Sequence, residues 1–396
     1  MTHPLVNQVV AALATDKNVL LYGPPGTGKT WLVSEVIAYL AARSSAGGRP
    51  TLRTGTTDQQ FGTAAGSQIG EIPNQVHIEW VTFHQSYSYE EFIIGRRPKP
   101  QENGIVLEPH FGLLMTIAIQ IQQPDGPDAC LLIIDELNRA NTGQVFGEFI
   151  TLLDPEYRST IKDSRNSRAL SVRLPGIAYE KGLSEPIRML RGGDTFTLSE
   201  DWTFPEHVYV LATMNSVDKA ALPLDSALTR RFQRIEMKPS LETLANRLSV
   251  SLDTLGGKAA QIRAEEHSRS SLTPEETAVL LLDRLNAHIR ADMGEDFELG
   301  HAFLWNVGKV DPGERWQELA KIWDRGLLPQ ILERYAGRRD ALAELLKATP
   351  GSPTEAAFRE RRLIGADTPF AGAMELIPLL DLPNDKAILV LQNLAL

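Results

Sequence analysis

Apolar residues change their period along this chain, and the changes outline its elements. Leu5, Val9, Val10 and Leu13 recur at helical spacing, and the continuous run Val19-Leu20-Leu21-Tyr22 follows them. A short amphipathic helix is therefore expected ahead of a buried first strand. Strand-like runs return at 77–83, 129–134 and 207–213, with helical patterns between the first three. Buried strands alternating with helices are the signature of a parallel α/β sheet. The segment 43–75 is rich in Gly, Ser and Thr with few core candidates, and reads as a helix end plus a long mobile loop. Scattered Gly, Pro and Arg at 158–204 read as an insertion of hairpins or loops before the sheet resumes. Pro239 closes the sheet domain, and Leu, Ala, Glu and Arg at helical periodicity follow from Leu241. The expected organisation is an α/β domain over 1–240, a helical lid over 241–348 with a polar interruption at 256–271, and a weakly defined tail over 349–396 after a linker marked by Pro350, Gly351 and Pro353.

Composition adds bounds but no partner. The chain has 396 residues, 42% of them hydrophobic and 23% charged, so an ordinary globular core is expected. Its single cysteine, Cys130, sits in an apolar run and excludes an intrachain disulfide, which fits a reducing compartment. No apolar stretch approaches the ~18 residues of a membrane span and the first residues lack a signal-peptide pattern, so a cytoplasmic protein is expected. A net charge of −10 argues against a broad nucleic-acid-binding face, while leaving room for a local basic groove.

The chemistry is concentrated at the ends of the strand runs. Gly23-Pro24-Pro25-Gly26-Thr27-Gly28-Lys29-Thr30 follows the first strand and precedes a helical stretch from Trp31. Glycines at those positions let consecutive backbone N–H groups turn toward phosphates, Lys29 reaches the outer ones, and Thr30 offers a hydroxyl to Mg2+. The run 131–134 ends in Asp135-Glu136, where Asp135 would hold Mg2+ and Glu136 would polarise an attacking water. The next run ends at Asn215, an amide placed to contact the γ-phosphate or that water. Beyond Asp225 come Arg230 and Arg231, which either reach a neighbouring subunit's γ-phosphate or pair with a carboxylate at a helix end. In 83–92, Tyr87, Tyr89 and Phe92 either pack a helix on the sheet, or the segment forms an interface with Glu90, Glu91, Arg96, Arg97 and Lys99. His301 reads as a half-buried structural histidine, and the basic residues near 338 and 359–362 as solvated helix faces.

Together these elements resemble the AAA+ superfamily, and in detail the McrB family. Asp135-Glu136-Leu137-Asn138-Arg139-Ala140-Asn141 is similar to that family's Asp-Glu-Ile-Asn-Arg-Ala-Asn. Met214-Asn215-Ser216-Val217-Asp218-Lys219-Ala220 stands where the family has Met-Asn-Thr-Ala-Asp-Arg-Ser, departing at Lys219 and Ala220. Phe83-His84-Gln85-Ser86-Tyr87, Gly300-His301-Ala302-Phe303 and Pro329-Gln330-Ile331-Leu332 are also similar, and the likeness covers roughly residues 10 to 340. The resemblance implies GTP as nucleotide, with ATP the alternative, and Mg2+. It also implies Asn138 beside the attacking water, Asp218 among the nucleotide contacts, and an arginine acting in trans in a homo-oligomeric ring, expected to be a hexamer. The implied partner is an McrC-like endonuclease, with DNA engaged through the complex, no nuclease chemistry in this chain and no membrane role. The family's separate N-terminal DNA-reading domain has no counterpart in the roughly twenty residues before the phosphate loop, so base recognition is expected to lie elsewhere. Two other classes would use the same core: a MoxR-like AAA+ chaperone that remodels a protein partner, and a nucleotide-gated scaffold. The scaffold would need neither Glu136 nor an arginine finger.

Overall fold

The computed structural model describes residues 4–42, 49–54, 57–62, 76–102, 104–123, 126–127, 129–159, 168–189, 194–217, 222–264, 272–348, 352, 354, 357–362 and 369–396. They fall into two compact units, Met1–Tyr22 with Lys29–Glu236, and Gly23–Gly28 with Met237–Leu396.

In the first unit, helix α1 (Pro4–Asp16) buries Val6, Val9, Val10 and Leu13, as their spacing predicts, and leads into β1 (Asn18–Gly23). Helix α2 (Lys29–Ala42) follows the phosphate loop. The other sheet strands are β2 (Arg49–Thr54), β3 (Thr57–Gly62), β4 (Val76–Thr82), β7 (Ala129–Asp135), β8 (Val208–Asn215) and β9 (Gln233–Glu236), with β5 (Ile94–Gln101) and β6 (Gly104–Phe111) forming a hairpin apart from it. The sheet runs β9-β1-β8-β7-β4-β2-β3, and β9 with β1, β8 with β7, β7 with β4 and β4 with β2 pair in parallel. Strand β7 is buried from Ala129 to Ile134 and β8 from Val208 to Thr213, so both faces are covered, as a parallel sheet requires.

Two features depart from the sequence pattern. The region read as a long loop contains β2 and β3. Their backbone ladder, with Leu52 opposite Ile78 and Thr54 opposite Trp80, needs no apolar alternation and so left no hydrophobic signal; residues 43–48, 55–56 and 63–75 lie outside the described residues. The β5–β6 hairpin was hidden by Pro98 and Pro100, which are tolerated because β5 is the edge of a four-stranded sheet with two-residue strands Ile187–Arg188 and Thr195–Phe196. These short strands belong to the expected insertion, of which 160–167 and 190–193 are outside the described residues. The 83–92 aromatics pack: Phe83 stacks on Tyr87 with centroids 4.8 Å apart and meets Phe92 edge-on at 5.6 Å, while Phe92 meets Phe146 at 4.8 Å. The neighbouring charges pair within the unit, Arg96 with Glu185 and Lys99 with Glu108.

A buried arginine ties the N-terminal ends of the central strands together. Arg158, 1% exposed, donates to the carbonyl oxygens of Leu152 (3.1 Å), Leu153 (2.6 Å) and Val208 (2.5 Å) and to Asn18 Oδ1 (2.8 Å). Asn18 Nδ2 in turn donates to the carbonyls of Leu153 (2.7 Å) and Arg231 (3.0 Å).

The second unit is helical around its own core. Its longest helix, Pro274–Met293, starts in a reciprocal cap: Thr273 Oγ1 accepts from Glu276 N (3.2 Å) and Glu276 Oε2 from Thr273 N (2.8 Å), with Pro274 in the first turn. The helix Leu252–Ala264 runs through the first part of the expected polar interruption, because Leu255, Ala259 and Ile262 fall on one buried face at i, i+4 and i+7; 265–271 are outside the described residues. The 349–396 segment carries the antiparallel pair Phe358–Arg362 and Pro369–Leu376 and the helix Asn384–Ala395. That helix puts Val390, Leu391 and Leu394 into the core it shares with Leu281 and Leu285, so this part of the expected tail belongs to the second unit.

Candidate functional site

The phosphate loop leaves β1 through backbone that only glycine adopts easily, with φ of 151° at Gly23, 77° at Gly26 and 89° at Gly28. Within the second unit its carbonyl side is engaged by protein donors. Thr27 Oγ1 donates to Pro24 O (3.0 Å), Gly300 N to Pro25 O (3.1 Å) and Ala302 N to Gly26 O (2.9 Å). A Cβ on Gly26 would lie 2.6 Å from the Phe303 ring, and one on Gly300 would lie 1.9 Å from Gly26 C. The Gly300-His301-Ala302-Phe303 segment is thus a backbone clasp on the phosphate loop. His301 beside it is buried; its Nδ1 accepts from Ser240 N (3.2 Å), and burial lowers its pKa. This is the structural histidine that its sequence context suggests.

In the first unit, Lys29 opens α2 and is buried, and Thr30 is exposed in the first turn. Burial pulls the Lys29 pKa down to about 8, while the charges of Glu136 and Asp135 act in the opposite direction. The ammonium group and both carboxylates therefore share one electrostatic environment.

The acids are held by β8. Thr213 Oγ1 donates to Asp135 Oδ1 (2.5 Å) and accepts from Glu136 N (3.3 Å); Asn215 Nδ2 donates to Glu136 Oε1 (2.7 Å). Glu136 sits in the left-handed region at φ 57°, ψ 48°, a conformation that costs on the order of 1–3 kcal/mol for a residue with a Cβ. Arg139 Nε lies 3.6 Å from its other carboxylate oxygen. Asn138 is buried, with its Nδ2 donating to Asn215 O (3.0 Å) and its backbone oxygen accepting from Leu222 N (2.8 Å). That leaves Asn138 Oδ1 as a buried acceptor with no bond among the described residues, and the residue borders a cavity of about 400 Å³ together with Met214, Asn215, Thr229 and Arg234. An acceptor at that place suits a water or a guanidinium, not a phosphate. Thr30 and Asp135 offer the hard oxygen donors that Mg2+ takes alongside phosphate oxygens, so the donor set fits that ion. Among the described residues no cluster of three or more His, Cys, Asp or Glu offers another metal site.

Comparison with known proteins finds similar segments. Residues 277–343 match the model for the McrB alpha-helical lid domain, 68–232 that for the AAA domain of the dynein-related subfamily, and 19–73 that for the ATPase family associated with various cellular activities. The type IV methyl-directed restriction enzyme EcoKMcrB subunit of Escherichia coli (strain K12) is 28% identical over 339 residues, 83% of this chain and 56% of that protein. The chain thus carries segments similar to AAA domains and to the McrB lid. The type II restriction enzyme BsuMI component YdiS of Bacillus subtilis (strain 168) is 27% identical over 229 residues, 56% of this chain and 58% of that one. The chain thus spans somewhat more than half the length of these relatives.

The two arginines differ in their surroundings. Arg230 is exposed, whereas Arg231 is half-buried, its Nη1 donating to Ala227 O (2.6 Å) and its carbonyl held by Asn18. Asp225 caps the helix Ser226–Thr229 by accepting from Ala227 N (2.7 Å). Asp218 lies outside the described residues. Lys29, Asp135, Glu136, Asn138 and Asn215 come together in one unit, while Gly23, Pro24, Pro25, Gly26, Thr27 and Gly28 belong to the other. Sequence reasoning missed Thr213, Arg139 and the Arg158–Asn18 pair. A hydroxyl two residues before Asn215 on a buried strand was the available signal for Thr213, since alternate strand residues share a face.

Proposed function

We propose that this chain hydrolyses GTP, with ATP the alternative, in a homo-oligomeric ring expected to be a hexamer, and that the ring drives an McrC-like endonuclease partner in DNA restriction. The observation that carries the reading is the convergence of Lys29, Asp135, Glu136 and Asn215, which supplies the positioning and charge stabilisation that phosphoryl transfer needs. Lys29 binds the outer phosphates and the loop amides orient them. Thr30 and Asp135 would hold Mg2+, which supplies charge neutralisation at the phosphate oxygens when bound. Glu136 takes the proton of the attacking water, and Asn215 and Asn138 fix that water's position. Arg230, the exposed member of its pair, reaches the γ-phosphate of the next subunit, and Arg231 keeps the turn beneath it in place. GTP, the ring and the partner follow from the family likeness, and DNA is contacted through the complex in the cytoplasm.

The test is steady-state turnover of GTP and ATP in parallel by the purified chain with Mg2+ across protein concentration. GTP turnover that rises more steeply than concentration is expected. ATP preference with stimulation by a protein client would replace this reading with a remodelling ATPase. Nucleotide binding without turnover at any concentration, with or without a nuclease partner, would leave a nucleotide-gated scaffold.

A further inference from the structure

We propose that Thr213 is a positioning residue that sets both acids of the site through one hydroxyl, orienting Asp135 toward the divalent cation and Glu136 toward water; the inference rests on the NTPase reading above. Parallel register brings it there: Ala212 pairs with Ile134, so the next rung sets Thr213 beside Asp135. Thr213 and Asn215, two residues apart on a strand, share a face, and each takes one acid: Thr213 donates to Asp135 Oδ1 and Asn215 donates to Glu136 Oε1. A hydroxyl has a single proton to give. Here it goes to the Asp135 carboxylate (2.5 Å), while a lone pair receives the Glu136 N–H (3.3 Å).

Three features make this more than a satisfied core hydroxyl. Thr213 is 2% exposed, so bulk water is poorly placed to substitute for its hydroxyl. It follows five apolar residues, Val208-Tyr209-Val210-Leu211-Ala212, where valine would serve the strand equally well and would bury no polar atom. Its two partners are the adjacent residues Asp135 and Glu136, and the second holds a left-handed backbone that needs tethering. Bonding at Oδ1 restricts the rotation of the Asp135 carboxylate and presents its other oxygen in a defined direction. Without the hydroxyl, Asp135 regains rotamer freedom and the Glu136 N–H loses its partner.

Thr213→Val removes the hydroxyl and keeps the shape, and Thr213→Ser restores it. The readout is equilibrium binding of a fluorescent non-hydrolysable GTP analogue titrated with Mg2+, beside kcat and a melting curve. For Thr213→Val the Mg2+ concentration giving half-maximal enhancement of binding is expected to rise about tenfold, the effect of one charge-assisted hydrogen bond, and kcat to fall by a similar factor or more. Binding without Mg2+ should stay within about twofold, and Thr213→Ser should return both values close to those of the native chain. A Thr213→Val curve that superimposes on the native Mg2+ curve while the melting point falls would overturn the proposal and leave a structural hydroxyl. Should the valine variant not fold, Thr213→Ala compared with Thr213→Ser carries the same contrast, and an alanine curve equal to the native one would overturn it. If the native chain itself shows no Mg2+ response, the NTPase reading fails instead of the role of Thr213.

Discussion

Replacing Arg158 with methionine removes a guanidinium that organises the sheet from the end opposite the acids. It donates to three backbone carbonyls and to Asn18, and its guanidinium carbon lies 5.4 Å from the Phe204 ring centroid. Hydrogen bonds to a charged group are worth about 1.5–3 kcal/mol each, but simple addition overshoots because partners relax and the buried cation itself costs desolvation. That desolvation is visible in the Arg158 pKa, lowered to about 10 by burial. A buried neutral acceptor left without a partner costs about 1–3 kcal/mol, several acceptors lose this donor together, and methionine fills part of the volume, so a loss of about 4 kcal/mol is expected. For a unit of this size, about 2–4 °C of melting temperature goes with each kcal/mol, which predicts a fall of about 8–16 °C. Arg158→Lys keeps the charge but lacks the planar fork, and should lose about half as much. Differential scanning calorimetry with urea unfolding measures both. A methionine variant melting within about 2 °C of the native chain would refute the assigned role, since three carbonyls would then have lost the guanidinium as a donor at no cost.

Two further outcomes follow from the charges at the site. Lys29 has a pKa of about 8 in the nucleotide-free protein, and triphosphate bound beside it would raise that value. Its contribution to affinity is therefore full below about pH 8 and lost as pH rises through 8, by up to about tenfold per pH unit until the bound-state pKa is reached. A nucleotide Kd that stays flat from about pH 7.5 to 9.5 would contradict the placement of Lys29 at the phosphates. Glu136→Gln preserves the geometry that Asn215 holds at 2.7 Å but removes the base, so turnover should fall by about 10²–10⁴-fold with nucleotide Kd within about threefold, measured by stopped assay and equilibrium binding.

What could be read from the sequence was contiguous. The phosphate loop, the apolar run ending in Asp135-Glu136 and the strand ending at Asn215 each carry their chemistry within a few residues, and the register of a parallel sheet brings the last two together. Thr213 was not legible because its meaning depends on which strand lies beside it and in what register, 78 residues away from Asp135. Arg158 stands at the start of a stretch of Gly, Pro and Arg, where one arginine looks like the others until burial separates them. Strand β2 forms through backbone pairing to β4 and β3 through pairing to β2, and β5 carries two prolines, so none of them shows the alternation by which strands are found. The choice between Arg230 and Arg231 was closed to sequence reasoning because it rests on which side chain folds back onto Ala227.

The central claim, that base and finger come from different subunits of one assembly, is tested most directly by mixing two inactive variants. Glu136→Gln keeps Arg230 but lacks the base, and Arg230→Ala keeps the base but lacks the finger. In an equal mixture, random assembly makes about one junction in four complete, so GTP turnover should return to about a quarter of the native rate. Turnover that stays at the level of the separate variants, while light scattering shows that they co-assemble, would contradict it.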